Sequence, residues 1–154
     1  MTVRPRRPLA AMLLAAALQP ALAAPACDSA EGRQAAERLL QRIDASWQAR
    51  DAAGMAALYH PQGQLRLQPA LASAAGRAEV EHFFTALFGS LGAEDDHVLS
   101  LRQLVSAGPY CALDAQALVG GANPATAQRF HGFYLVDPQG QDWRIVAVSA
   151  VRLG

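Results

Sequence analysis

The chain has 154 residues, of which 52% are hydrophobic and 17% charged, and its 13 basic and 13 acidic residues give a formal net charge of zero. This length suits one domain of ordinary size, and the apolar content is too high for a disordered chain. Every basic residue is an arginine, which excludes a Schiff-base lysine and a phosphate-loop lysine.

The first 26 residues have the pattern of a secretory signal peptide. Arg4, Arg6 and Arg7 form a basic start, the apolar run that follows is too short to span a bilayer, and the segment ALAAPA offers small residues to a signal peptidase. We therefore predict a signal peptide over 1–26, one domain over 27–154, and a periplasmic or secreted protein. Cleavage would leave ten basic residues against 13 acidic ones, a net charge of −3. Such a domain lacks the excess of positive charge that is typical of nucleic-acid-binding proteins.

Two cysteines, Cys27 and Cys111, fit an oxidising compartment. A disulfide between them would close a long loop and contribute on the order of 4 kcal/mol in the chain-entropy model. One alternative is a lipoprotein acylated at Cys27, although the preceding APA segment lacks the leucine usual before such a cysteine. The other alternative is a pair of free thiols.

Three helices are predicted in the first part of the mature chain. Asp28 and Glu31 resemble a capping box, and the apolar residues that follow at steps of three and four predict a helix to about residue 49. Asp51 can cap a second, short helix that Pro61 and Gly63 end. The third, over about 77–91, has a broad apolar stripe: Val80, Phe83, Phe84, Leu87, Phe88 and Leu91.

The rest of the chain has the patterns of strands. QLRLQ alternates as a short strand, residues 69–76 are expected to form a loop, and turn signals separate four long runs at 97–106, 109–120, 125–137 and 142–152. Helices followed by strands predict an α+β domain whose helices pack on one face of a curved antiparallel sheet. Such a sheet, closed on one side by helices, forms a cone that encloses a pocket.

Several short segments, in order, resemble one known superfamily. They are Trp47 with Asp51, the pair Leu58-Tyr59, the helix GRAEVEHFFTALF, and a last strand that opens with the Trp-Arg-Ile of residues 143–145. This order resembles the nuclear-transport-factor-2-like superfamily in its SnoaL-like and ketosteroid-isomerase-like branch. The resemblance implies a cone-shaped α+β fold, often dimeric through the open sheet face. Because members include isomerases, dehydratases, cyclases, hydrolases and proteins without known activity, the fold does not settle the function.

The resemblance also allows a test for isomerase chemistry, which needs a carboxylate base and two donors for the oxyanion. The base would fall at Leu67 or Gln68, and the donors near Ile43 and Gly132. None of these side chains can fill its role. We therefore predict no ketosteroid isomerisation.

A histidine–aspartate pair is the remaining candidate for catalysis. Strand alternation places Asp114 on one face of its strand and Arg129 with His131 on one face of the next, so the three could cluster, with His131 as a general base for an isomerase or hydrolase. Alternation does not say which face is inside. Because the resemblance turns Tyr134 and its alternate neighbours inward, we favour an outer polar patch or a dimer interface for the pair.

The residues expected to line the cone predict a ligand site rather than a reaction. Trp47, Tyr59, Phe84 and Tyr134 would form an apolar wall, His60 would lie at the mouth, and Arg102 or His131 would be the polar anchor. The four histidines lack metal-ligand spacing, so no metal or cofactor is expected. Asp95, Asp96 and His97 are interpreted as an acidic loop that enters a strand. Two hypotheses remain: a site for a small, mostly apolar molecule, and a homodimerising interaction module with a vestigial pocket.

Overall fold

The computed structural model describes residues 26–69, 72–93, 95–120, 127–140 and 142–153. The predicted signal peptide lies outside these residues, apart from its last position. These residues form three helices and six strands, with two of the strands between the second and third helices. In chain order they are α1 (Ala30–Gln48), α2 (Ala52–Ala57), β1 (Tyr59–Gln68), β2 (Ala72–Ala75), α3 (Arg77–Ser90), β3 (Asp96–Ala107), β4 (Tyr110–Gly120), β5 (Gln128–Asp137) and β6 (Arg144–Leu153). The α+β class predicted from the sequence is confirmed.

The helix boundaries follow from capping side chains. Ser29, rather than Asp28, caps α1, because its hydroxyl accepts the Gly32 N–H at 2.9 Å. Asp51 caps α2 as predicted and accepts the Gly54 N–H at 2.8 Å. The end of α2 differs from the prediction, since it ends at Ala57 and not near Pro61.

All six strands form one sheet in the order β2-β1-β6-β5-β4-β3. The prediction of an antiparallel sheet is wrong at one place, because β1 pairs with β6 in parallel while the other neighbours are antiparallel. The prediction of a loop at 69–76 is also partly wrong, since β2 pairs with β1 there. Its sequence, ASAA, consists of residues with weak strand preference, so only pairing with β1 reveals it.

The core lies between the helices and the concave face of the sheet. It includes the apolar face of α1, the α3 stripe and alternate residues of β4, among them Leu113 and Ala115. The expected disulfide is present and joins Cys27, just before α1, to the fully buried Cys111 on β4, with Cα atoms 5.6 Å apart. Among the described residues, no helix is long and apolar enough to cross a membrane.

Candidate functional site

A cavity of about 470 Å³ opens between the three helices and the concave face of the sheet. Its size falls within the usual range for small-molecule sites. Most of the wall is apolar, and side chains from all three helices and from strands β1, β4, β5 and β6 contribute to it: Ile43, Met55, Leu65, Leu67, Phe83, Phe84, Leu87, Leu91, Ala117, Val119, Phe130, Ile145, Val148 and Ala150.

The four residues predicted to form the wall all line this cavity. Trp47 comes from α1, Tyr59 from the start of β1, Phe84 from α3 and Tyr134 from β5. The Tyr59 backbone is held by the Arg77 guanidinium, whose Nε donates to the Tyr59 carbonyl at 2.8 Å.

The two other predicted ligand contacts lie elsewhere. His60 is half-buried near the start of β1, outside the cavity lining, and its Nδ1 accepts the Gln62 N–H at 3.3 Å. Arg102 lies at an irregularity of β3 and is exposed to solvent. Arg102 is not part of the cavity lining, and its role as a polar anchor stays a prediction.

A hydrogen-bonded pair that was not predicted from the sequence brings a histidine to the cavity wall. His97, on β3, lines the cavity and is only 6% exposed, and its Nδ1 lies 2.7 Å from Asp44 Oδ1 on α1. The second carboxylate oxygen of Asp44 accepts the Leu99 N–H at 3.0 Å. One available signal was the position of Asp44 on the apolar side of its helix, four residues after Leu40 and three before Trp47.

Aromatic packing fixes the orientation of the histidine. The Trp47 indole stacks on the His97 ring, with centroids 4.3 Å apart and planes 21° apart. The indole also packs against Phe84 and Phe88 in T-shaped arrangements. His97 therefore lies in a strand, as the predicted run at 97–106 implied, but its burial beside Asp44 was not predicted.

An arginine holds the segment that leads into this strand. Arg50 Nη2 donates to the carbonyls of Gly92 and Asp95 at 2.9 and 2.8 Å, and its guanidinium lies 5.9 Å from the Phe88 ring centre. The Trp47 indole N–H donates to the same Asp95 carbonyl at 3.4 Å. These contacts tie the end of α1 to the approach to His97.

Two tyrosines, Tyr59 and Tyr134, are further polar residues of the cavity lining. Burial raises the pKa of Tyr134, and the nearby Asp44 charge raises the pKa further. Burial likewise raises the pKa of Tyr59, and Tyr134 adds to that shift. Both hydroxyls are therefore neutral and able to donate at physiological pH. Tyr134 and His97 both line the cavity.

Gly132 allows the Tyr134 ring to lie where it does. A Cβ atom at residue 132 would come within 2.8 Å of Tyr134 Cε2 and 3.4 Å of its hydroxyl oxygen. The ring therefore lies back along β5 over a position that has no side chain.

The predicted Asp114–His131 pair also forms, but on the convex face of the sheet. His131 Nε2 lies 2.5 Å from Asp114 Oδ1, and the His131 ring packs on Phe133, which is 55% exposed. Arg129 lies on the same face and is exposed. Neither Asp114 nor His131 lines the cavity, whereas Phe130, Gly132 and Tyr134 do. The catalytic role of this pair stays a prediction.

The residues predicted to occupy the base and oxyanion-donor positions of an isomerase line the cavity, except for Gln68. Ile43, Leu67 and Gly132 line it and carry no acidic or donor side chain. The assignment of the isomerase positions and the absence of ketosteroid isomerisation stay predictions.

Known structures with the same fold were found at low sequence identity. A domain of unknown function with a cystatin-like fold from Nostoc punctiforme superposes with a TM-score of 0.71 at 12% identity, covering 82% of this chain and 80% of that chain. A ketosteroid isomerase-like protein from Erwinia carotovora atroseptica gives 0.67 at 15%, covering 82% and 99%. An NTF2-like protein of unknown function from Pseudomonas putida gives 0.64 at 17%, covering 80% and 87%.

No protein-family model and no curated protein matches the chain. The structural neighbours show that the chain has the NTF2-like fold with a cystatin-like arrangement, as the resemblance implied. At these identities the likeness concerns the fold alone.

Proposed function

We propose that the cavity binds a small, mostly apolar organic molecule whose polar group lies against Tyr59, Tyr134 and His97. The observation that carries this proposal is the cavity itself: about 470 Å³, walled mainly by aliphatic and aromatic side chains, with a few polar residues in the lining, among them Tyr59, Tyr134 and His97. A vestigial pocket would be expected to have collapsed, since unfilled apolar space costs stability.

A cavity-filling substitution tests this proposal without removing a core side chain. Ala150 lines the cavity on β6, and its neighbour Ser149 faces the convex side beside Phe133. We expect Ala150→Phe to weaken binding of an apolar fluorescent probe by at least about tenfold, because the added ring takes the ligand's place. Ser149→Phe introduces the same ring one residue away, on the convex side, and should change the affinity less than about twofold. Equal effects would contradict the proposal.

Native mass spectrometry of the purified protein provides a second measurement. A co-purifying organic molecule that is lost in Ala150→Phe and retained in Ser149→Phe would identify the ligand directly. A probe that binds Trp47→Ala as well as it binds His82→Ala, a change on the exposed side of α3, would instead favour the interaction module.

We further propose that the convex face of the sheet forms a homodimer interface. Among the described residues, exposed large apolar side chains gather on strands β3 to β6 of this face: Val98, Val105, Leu118, Phe133, Val151 and Leu153. Such a patch is typical of an interaction surface. Phe133→Asp should shift a dimer to a monomer in sedimentation velocity, and a wild-type monomer at high concentration would contradict the proposal.

Export remains a proposal that the disulfide supports, because structural disulfides persist in oxidising compartments. Protein expressed with its own leader should appear in the periplasm with an amino terminus near residue 24 or 27. Full-length protein in the cytosol would contradict export.

A further inference from the structure

The hydrogen bonds of the Asp44–His97 pair determine which nitrogen of the imidazole carries the proton. A carboxylate only accepts hydrogen bonds, and both oxygens of Asp44 have partners: Leu99 N–H on Oδ2 and His97 Nδ1 on Oδ1. The network therefore assigns the imidazole proton to Nδ1. In the neutral ring, Nε2 then carries a lone pair.

The free nitrogen of His97 has a defined position. Stacking on Trp47 fixes the plane of the ring, and the bond to Asp44 fixes its rotation within that plane. Within the described part of the chain, no residue forms a hydrogen bond with Nε2. A ligand that covers Nε2 separates this nitrogen from water, so a ligand that donates to it gains affinity over a ligand that leaves it without a partner.

We propose that the cavity is selective for a ligand whose polar end is a hydroxyl group, such as a phenol or an alcohol, which donates to His97 Nε2. This inference rests on the proposed ligand-binding function and names the ligand class. Asp44 is the positioning residue that sets the preference through the imidazole tautomer. The hydroxyl oxygen of the ligand can also accept a hydrogen bond, which the neutral Tyr134 can supply.

Other ligand classes fit this end of the cavity less well. A ketone or an ether has only lone pairs and would leave Nε2 without a donor. A carboxylate would bring a second negative charge towards Asp44 in an apolar setting, where charges interact strongly. A site built to bond a hydroxyl rejects analogues that lack it, because its own polar group is then left unpaired.

The test compares probes that share one ring system and differ in their polar group. Binding of 2-naphthol, 2-methoxynaphthalene and 2-acetylnaphthalene is measured by calorimetry at about pH 8, where histidine is usually neutral. We expect the wild-type protein to bind 2-naphthol at least about tenfold more tightly than either of the other two, which is the effect of one unpaired buried acceptor. Binding of all three within about twofold would overturn the inference.

The substitution Asp44→Asn should reverse the preference. The Leu99 N–H keeps the amide oxygen on its side, so the amide NH₂ faces His97 Nδ1 and donates to it. The imidazole proton then moves to Nε2, which becomes a donor and favours the ketone. If Asp44 had only a structural role, Asp44→Asn would weaken the binding of all three probes equally. An unchanged preference of this variant for 2-naphthol would overturn the inference. Asp114→Asn, the same change in the outer pair, should leave all three affinities within about twofold.

Two further measurements keep the test decisive if Asp44→Asn does not fold. Nitrogen-15 NMR of the wild-type histidines should show His97 with its proton on Nδ1, and a proton on Nε2 would overturn the inference. His97→Phe should bind the three probes within about twofold of one another. If even unsubstituted naphthalene fails to bind the wild-type protein, the proposed ligand-binding function is wrong as well, whereas equal binding of all probes overturns the hydroxyl selectivity alone.

Discussion

Each face of the sheet has a histidine–aspartate pair. The two pairs consist of the same residue types but differ in their exposure to solvent and in the elements that they join. On the concave face, His97 and Asp44 have side chains 8% and 20% exposed, and they join a strand to a helix. On the convex face, His131 and Asp114 are 36% and 25% exposed, and they join neighbouring strands. A distance between two side chains therefore does not identify a site.

The difference between the pairs lies in their surroundings. The inner pair has a backbone N–H on the carboxylate, an indole stacked on the imidazole and a cavity beside it. The outer pair has one aromatic neighbour and solvent. Since a hydrogen bond is strengthened where water is excluded, the same two residue types have a larger energetic effect on the concave face.

The largest effect is expected from breaking the cross-link that holds the inner pair's helix. The bridge between Cys27 and Cys111 ties the start of α1 to β4. Replacing both cysteines with alanine should lower the free energy of unfolding by about 4 kcal/mol in urea denaturation. In NMR spectra of the folded variant, the His97 ring signals should shift and those of His131 should not, because only the inner pair depends on α1. A loss below about 1 kcal/mol would contradict this prediction.

The next largest effect is expected when the carboxylates of Asp44 and Asp114 are removed and the losses in unfolding free energy are compared. Asp44→Ala removes the partner of a buried histidine and of the Leu99 N–H, so it should cost about 2–3 kcal/mol of unfolding free energy. Asp114→Ala removes the partner of a half-exposed histidine and should cost less than about 1 kcal/mol. Urea denaturation of both variants measures the difference, and equal losses would remove the distinction between the faces.

Alkaline titration provides a smaller effect that is specific to the concave face. The raised pKa values of Tyr59 and Tyr134 mean that the native state keeps protons that the unfolded chain releases above about pH 10. The free energy of unfolding should therefore fall as the pH rises beyond that point, by about 1.4 kcal/mol per pH unit for each tyrosine. Tyr59→Phe should halve the slope, and a slope unchanged by this substitution would contradict the burial of that hydroxyl.

The smallest effect is expected from the outer histidine. His131→Gln should change the affinity for 2-naphthol by less than about twofold, because the residue does not line the cavity. Isothermal calorimetry measures this change beside the matched variant His97→Gln. A tenfold loss in His131→Gln would move the candidate site to the convex face and revive the catalytic hypothesis for Asp114 and His131.

The predictability of the two pairs from the sequence differs for a physical reason. Asp114 and His131 lie on consecutive strands, so alternation and one hairpin register bring them together. Asp44 and His97 lie on a helix and on a strand far along the chain, and their meeting depends on how α1 packs across the sheet. Periodicity predicts which face of each element is buried, but it does not predict which residues of two packed elements face each other.

The same limit explains the other differences between prediction and structure. Helix α3 and the long strands could be predicted because their apolar patterns extend over many residues. The short strand β2 and the parallel pairing of β1 with β6 could not, because both depend on a distant partner.

Gly132 gives this cavity a simple means of acquiring new specificity. Where residue 132 has only hydrogen, the Tyr134 ring lies along the strand, and an added methyl group would force the ring aside. The residue at position 132 therefore affects both the space in the cavity and the position of the Tyr134 hydroxyl, while the backbone of β5 can stay as it is. In a lineage of such proteins, or in a directed-evolution library, this position would offer a short route from one ligand to another.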